Sequence, residues 1–149
     1  MAILSIDEAA KKVCILGDWK VTNLKLQKIL YILQVGFLGH EKLLLIDGEF
    51  EAWDYGPVLP ELYHKVKRFG ADNIKDIFYG VEEIKGTKEA EFLETACDQW
   101  QLLKLKSFQL VEITHRSNGA WAAAYTRRDI NPIIKEEDMP KEYGVIFRG

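Results

Sequence analysis

Histidines are the side chains of this sequence best suited to acid–base chemistry near neutral pH. There are three, His40, His64 and His115, and they fall in different predicted elements. None stands at a recognised motif spacing from a serine, cysteine or aspartate, and the sequence has no HExxH, GxSxG or P-loop motif. His115 is the strongest candidate because it follows Thr114 at a predicted helix end. Its ring either satisfies the last helix carbonyls or meets a carboxylate or hydroxyl in a hydrolase pocket.

Cysteines and paired carboxylates offer no better site. Cys14 and Cys97 are far apart, and neither belongs to a CxxC motif or a Cys/His cluster, which is typical of free buried thiols in a reducing cytoplasm. The carboxylates of residues 82–83 and 136–137 are adjacent in sequence and would point apart on a helix. We therefore expect a protein that is not an enzyme and that needs no metal or cofactor.

A basic segment, residues 104–128, is the candidate for nucleic-acid binding. It contains Lys104, Lys106, Arg116, Arg127 and Arg128 against a single acid, Glu112, with Trp121 and Tyr125 nearby. The whole chain carries 20 Lys and Arg against 23 Asp and Glu, and this net charge of -3 provides no long-range attraction to phosphate. A DNA-binding regulator therefore remains an alternative, and the acidic helix predicted from residue 88 could instead be the partner of this segment.

The stretch FEAWDYGPVLPELYHKV, residues 50–66, concentrates large aromatic side chains around a glycine and two prolines. Gly56 can bend the chain, and Pro57 and Pro60 fix the direction in which it leaves the bend. Trp53 is expected on a strand face shared with glutamates, so it should be half-exposed or covered by another element. This pattern favours a rigid recognition surface over a catalytic site.

The candidate residues are carried by a fold that the sequence predicts to be mainly helical. The 149 residues, 48 % of them hydrophobic, predict one domain spanning 1–149 with a single core. The longest apolar run is interrupted by Gln34 and is too short to span a membrane. The first residues, MAILSIDEAAKK, lack the order of a signal peptide, which indicates a cytoplasmic protein.

Capping residues and hydrophobic spacing place the elements. We expect a compact bundle of about six helices with one small β-hairpin. Six predicted helices occupy 5–17, 22 to 36–39, 60–70, 87–103, 107–115 and 117–128, and a last short helix is plausible near 136–143. The second helix is apolar nearly all round and should be central. Asp47 and Gly48 predict a type I′ turn that pairs Leu45 with Phe50, and Pro57 should end the second strand.

Three segments together resemble the Panacea domain family, which includes SocA-type antitoxins and phage-associated proteins called GepA-like. The segments are TNLKLQKILYILQ (22–34), FEAWDYGPVLPELYHKVKRFG (50–70) and LVEITHRSNGAW (110–121). The chain departs from the family pattern at Ile113, usually Leu, and at Ala120, where a proline usually precedes the tryptophan. The second departure bears on how closely Trp121 matches the family.

The resemblance implies a mostly helical antitoxin, found in prophages and encoded beside its toxin. Family members mostly neutralise toxins by direct binding, whereas the SocA type delivers its toxin to a bacterial protease. We expect a protein toxin as partner, with such a protease as the alternative partner, no membrane, and an oligomeric state that the sequence does not predict. The expected partner-binding residues are Trp53, Tyr55, Tyr63, His115, Arg116 and Trp121, with Gly56, Pro57 and Pro60 shaping the corner.

Overall fold

The chain folds around one long buried helix, α2 (Asn23–Glu41), in which every residue from 26 to 39 is buried. A computed structural model describes residues 3–116, 119–125 and 130–148. The elements around α2 are α1 (Ile6–Leu16), β1 (Glu51–Trp53), β2 (Gly56–Val58), α3 (Pro60–Val66), α4 (Lys88–Gln99), α5 (Ser107–Thr114), α6 (Ala120–Tyr125) and α7 (Met139–Arg148). The predicted class, mainly helical with one small hairpin, is confirmed, with seven α-helices in the described residues.

Local caps begin the helices where the sequence predicts. Ser5 and Glu8 form a reciprocal capping box ahead of α1. The hydroxyl of Thr22 accepts a hydrogen bond from the Lys25 N–H at the start of α2, and Thr87 caps α4 in the same way. Pro60 occupies the first position of α3.

Several helix bounds differ from the prediction. Helix α3 ends at Val66 and α4 at Gln99, both earlier than expected. Helix α2 continues past Gly39 to Glu41 and stops where Lys42 adopts a left-handed conformation. Gly39 serves packing, because a Cβ there would lie 2.2 Å from the ring of Tyr143 on α7. Helix α7 is longer than the predicted segment 136–143 and accommodates Pro140 in its first turn.

The predicted turn at Asp47 and Gly48 is wrong. Neither residue has the positive φ that a type I′ turn requires, and residues 45–47 instead pair with Leu4. The side-chain amide of Gln34 also accepts hydrogen bonds from the N–H groups of residues 45 and 46 and donates one to the carbonyl of residue 46. These contacts occupy the backbone groups that a hairpin would have used.

The hairpin that forms lies further along the chain, at residues 51–58. Strands β1 and β2 are antiparallel, with the pairs Glu51 with Val58, Ala52 with Pro57 and Trp53 with Gly56. Pro57 therefore lies inside a strand and does not end one. The pairing tolerates it because the Ala52 N–H points the other way, donating to the carbonyl of Pro132 at 2.7 Å.

The hydrophobic core is built from aliphatic and aromatic side chains, with Tyr31 packed edge-on against Phe50 at 5.2 Å. Both cysteines are free and buried. Among the described residues, no helix is both long enough and apolar enough to cross a bilayer.

Candidate functional site: an aromatic cleft beside the hairpin

A cleft of about 520 Å³ opens between the first turns of α2, the β1–β2 hairpin and α3. Its aromatic side is formed by Trp53, Tyr55 and Tyr63. The remaining lining comes from Asn23, Leu24, Gln27, Lys28, Asp54, Val58, Gly70, Ala71 and Asn131. The size and the mostly apolar lining are typical of a binding site. We call this feature the aromatic cleft.

The three aromatic side chains of the cleft are held to different degrees. Trp53 is half-buried, as predicted, and packs edge-on against Tyr63 with ring centroids 4.8 Å apart. The Trp53 indole N–H donates to Glu51 at 2.9 Å. Tyr55, at the turn between the strands, is 71 % exposed. The cleft therefore combines a fixed aromatic pair with one exposed ring.

A second group of rings supports the hairpin from outside the cleft. His115, Trp121 and Tyr125 stack in sequence, with centroid separations of 3.9 and 4.6 Å. The Trp121 indole N–H donates to the carbonyl of Trp53 at 2.8 Å, and the Tyr125 hydroxyl donates to Asp54. We call these three residues the ring stack. It braces the hairpin, and neither His115 nor Trp121 lines the cleft.

Lys28 is a cleft residue that sequence reasoning missed. It is completely buried, and its Nζ donates to the carbonyl of Pro57 at 2.7 Å. Burial lowers the pKa of Lys28 to about 7, because the charged form is poorly solvated. The only sequence signal was a lysine within a helix that is otherwise apolar nearly all round.

Gly56 is required where the hairpin approaches Lys28. Its φ is +111°, and a Cβ there would lie 2.8 Å from Cε of Lys28 and 3.0 Å from the hydroxyl of Thr114. Both the backbone conformation and the close contact would strain a larger residue at this position. The corner-shaping role of Gly56 stays a prediction.

The His115 ring forms no hydrogen bond to a nucleophile or a carboxylate within the described residues. Its Nε2 is buried and has no hydrogen-bond partner in the described residues, while the Thr114 hydroxyl donates to carbonyls of its own helix. The pKa of His115 is lowered, first by burial and second by the charge of Lys28. The main-chain N–H of His115 bonds the carbonyl of Val111, and its ring stacks on Trp121. No group of three or more His, Cys, Asp or Glu within the described ranges could hold a metal ion.

Ala120 begins α6, so the helix starts where the family pattern has its proline. The Ala120 N–H donates at 3.1 Å to Glu142, which also accepts from the Tyr31 hydroxyl. Glu142 is fully buried, and burial raises its pKa. Arg116, half-buried, acts electrostatically on this carboxyl and does not line the cleft.

The residues of the basic segment 104–128 differ in their surroundings. Lys104 and Lys106 are exposed, whereas Arg127, Arg128 and the predicted caps at 117–118 lie outside the described residues. Trp121 and Tyr125 are engaged by the hairpin. On the acidic helix α4, Glu94 pairs with Lys12 of α1 at 2.8 Å.

Known proteins match most of the chain. Residues 26–122 match the family model described as "Antitoxin SocA-like, Panacea domain". Antitoxin SocA of Caulobacter vibrioides (strain NA1000 / CB15N) is 32 % identical over 129 residues, which covers 81 % of this chain and 66 % of that protein. The match therefore leaves about a third of the relative's length uncovered. No solved structure matches the chain significantly.

Proposed function

This chain belongs to the SocA-like antitoxin (Panacea domain) family, and on that premise we propose that it is an antitoxin that neutralises a protein toxin by binding it through the aromatic cleft. It acts without catalysis, in the cytoplasm, as one half of a prophage-borne pair whose toxin is encoded beside it. The observation that carries the proposal is the exposed Tyr55 at the edge of a cleft whose other rings are held in place.

The arrangement has the features of a binding hot spot. Tyrosine and tryptophan dominate such sites because they bury a large area at a small cost in conformational entropy. The ring stack and the Trp53–Tyr63 pair immobilise the hairpin before any partner arrives, which reduces the entropy lost on binding.

Tyr55→Ala provides the test, because no hydrogen bond or ring contact is recorded for Tyr55 within the described residues. Binding of the adjacent gene product is measured by isothermal titration, alongside rescue of growth on toxin expression. We expect the dissociation constant to rise at least tenfold, as for a hot-spot tyrosine. Tyr79→Ala is the matched control, since Tyr79 is 84 % exposed and lies outside the cleft lining. Equal losses in the two variants, or none in Tyr55→Ala, would remove the cleft from the proposal.

The toxin's half-life separates masking from delivery to a protease. Direct neutralisation predicts that the toxin persists in an inactive complex, whereas an adaptor predicts faster degradation when this chain is present. A DNA-binding role predicts instead that Lys104→Glu with Lys106→Glu weakens duplex binding, and that this binding falls steeply with added salt.

A further inference from the structure

Two lysines are buried among the described residues, and they differ in whether a carboxylate balances their charge. Lys12 of α1 is 2 % exposed and lies between two carboxylates, Glu83 at 3.0 Å and Glu94 at 2.8 Å. Lys28 is fully buried, and its Nζ has one hydrogen bond, to a backbone carbonyl, with no carboxylate within ion-pair distance in the described residues. A buried ammonium without a counter-charge is costly, so a counter-charge supplied by a partner would be strongly favoured.

The cleft provides the position for that counter-charge. Lys28 lies among its lining residues, beside the apolar surfaces of Trp53, Val58 and Tyr63. Asp54 is the one carboxylate of the lining, and it is hydrogen-bonded by the Tyr125 hydroxyl. The cleft therefore joins a large apolar surface to a positive charge that the described part of the chain leaves without a partner.

We propose that the cleft receives an acidic side chain, an aspartate or glutamate flanked by apolar residues, from a segment of the toxin. This inference rests on the proposed function for the identity of the partner. Because Lys28 is closed to solvent, the carboxylate acts across the cleft floor, within the roughly 6 Å over which an opposite charge stabilises an ammonium. The flanking apolar side chains pack against the Trp53–Tyr63 pair.

Binding then takes up a proton. The pKa of Lys28 is about 7 in the free protein and rises when a carboxylate enters the cleft, so affinity falls as pH rises. From about pH 7 to pH 8 the charged fraction of free Lys28 falls about fivefold, and the association constant should fall by the same factor. His115 from α5 interacts electrostatically with Lys28, and the other titratable groups nearby are Asp54 from the hairpin turn and Tyr63 from α3, which line the same cleft. The lowered pKa of His115 keeps it neutral over this interval.

The experiment is titration of the adjacent gene product at pH 7 and 8, each in phosphate and in Tris, whose ionisation enthalpies differ. The difference between buffers counts the protons taken up. We expect about half a proton at pH 7 and about 0.9 at pH 8 for the wild type, from the neutral fraction of Lys28. Lys28→Met should abolish both the uptake and the fivefold pH effect.

Lys25→Met is the matched control. Lys25 lies one turn earlier on α2, and its Nζ also donates to a backbone carbonyl, that of Leu103 at 2.9 Å, outside the cleft. It should behave as the wild type. Binding of the toxin without proton uptake would overturn this inference and leave the proposed function intact. No binding by the wild type would instead refute the proposed function, and this inference with it. The wild-type measurement decides the matter even where Lys28→Met fails to fold.

Discussion

Lys28 makes the stability of this protein depend on pH in an unusual direction. Below pH 7 the lysine is charged in both the folded and the unfolded chain, and the folded chain carries the cost of burying that charge. Between the folded pKa of about 7 and the unfolded value of 10.5, the unfolded chain binds more protons. The free energy of unfolding must therefore rise with pH in that interval.

The magnitude follows from the two pKa values. From about pH 6 to pH 8.5, Lys28 should add about 2 kcal/mol to the free energy of unfolding. Lys28→Met removes this rise. At pH 7 the variant also lacks the cost of burying the lysine charge, which is roughly 4 kcal/mol. Against this, the Pro57 carbonyl loses its donor, which costs about 1–3 kcal/mol. The substitution should therefore stabilise the protein at pH 7 by about 2 kcal/mol.

Urea unfolding of both proteins, followed by circular dichroism at several pH values in this range, measures the effect. Subtracting the two curves cancels the titrating groups that do not interact with Lys28. His115 does not cancel completely, because the charge of Lys28 contributes to lowering its pKa, and the rise above pH 7 is therefore the part of the curve assigned to Lys28. A constant difference between the curves would show that Lys28 keeps an ordinary pKa in the fold, and the reasoning on burial would be refuted.

Two other substitutions and one thiol-labelling experiment test other parts of the structure. Gly56→Ala should lower the free energy of unfolding by about 3 kcal/mol in urea melts, because of its φ of +111° and the contact with Lys28; a loss under 1 kcal/mol would contradict that contact. Trp121→Phe keeps the stack but loses the bond to the Trp53 carbonyl, so the same melts should show a loss of about 1–2 kcal/mol, and no loss would mean that the bond is unimportant. Burial raises the pKa of Cys14 and Cys97 to about 12, so both should resist a thiol-specific disulfide reagent until urea unfolds the chain; rapid labelling of the native protein would refute their burial.

The helix starts could be predicted from sequence because their causes are local. Ser5, Thr22, Thr87 and Pro60 act on backbone groups within a few residues, and each begins a helix as expected. The hairpin could not be placed in this way. The preference of Asp47 and Gly48 for a tight turn is outweighed by bonds to Leu4 and Gln34, which are distant in sequence.

The candidate site, like the fold, could be predicted from the sequence only in part. The aromatic corner was foreseen because Trp53, Tyr55 and Tyr63 lie within eleven consecutive residues around Gly56. Lys28 was missed because a lysine on a helix usually extends to solvent, whereas here its Nζ is held by the Pro57 carbonyl of strand β2, which is distant in sequence. The glycine at position 39 was read as a helix stop for a similar reason, since its partner Tyr143 comes from the far end of the chain.

The brace on the hairpin has a consequence for synthesis of the protein. The indole that holds the Trp53 carbonyl comes 68 residues later in the chain, and the Tyr125 hydroxyl that holds Asp54 follows it. A nascent chain on the ribosome therefore has the aromatic corner long before it has the supports. The hairpin therefore gains these two hydrogen bonds only after residue 125 has left the exit tunnel, and until then its conformation rests on its own strand pairing and on the residues that precede it.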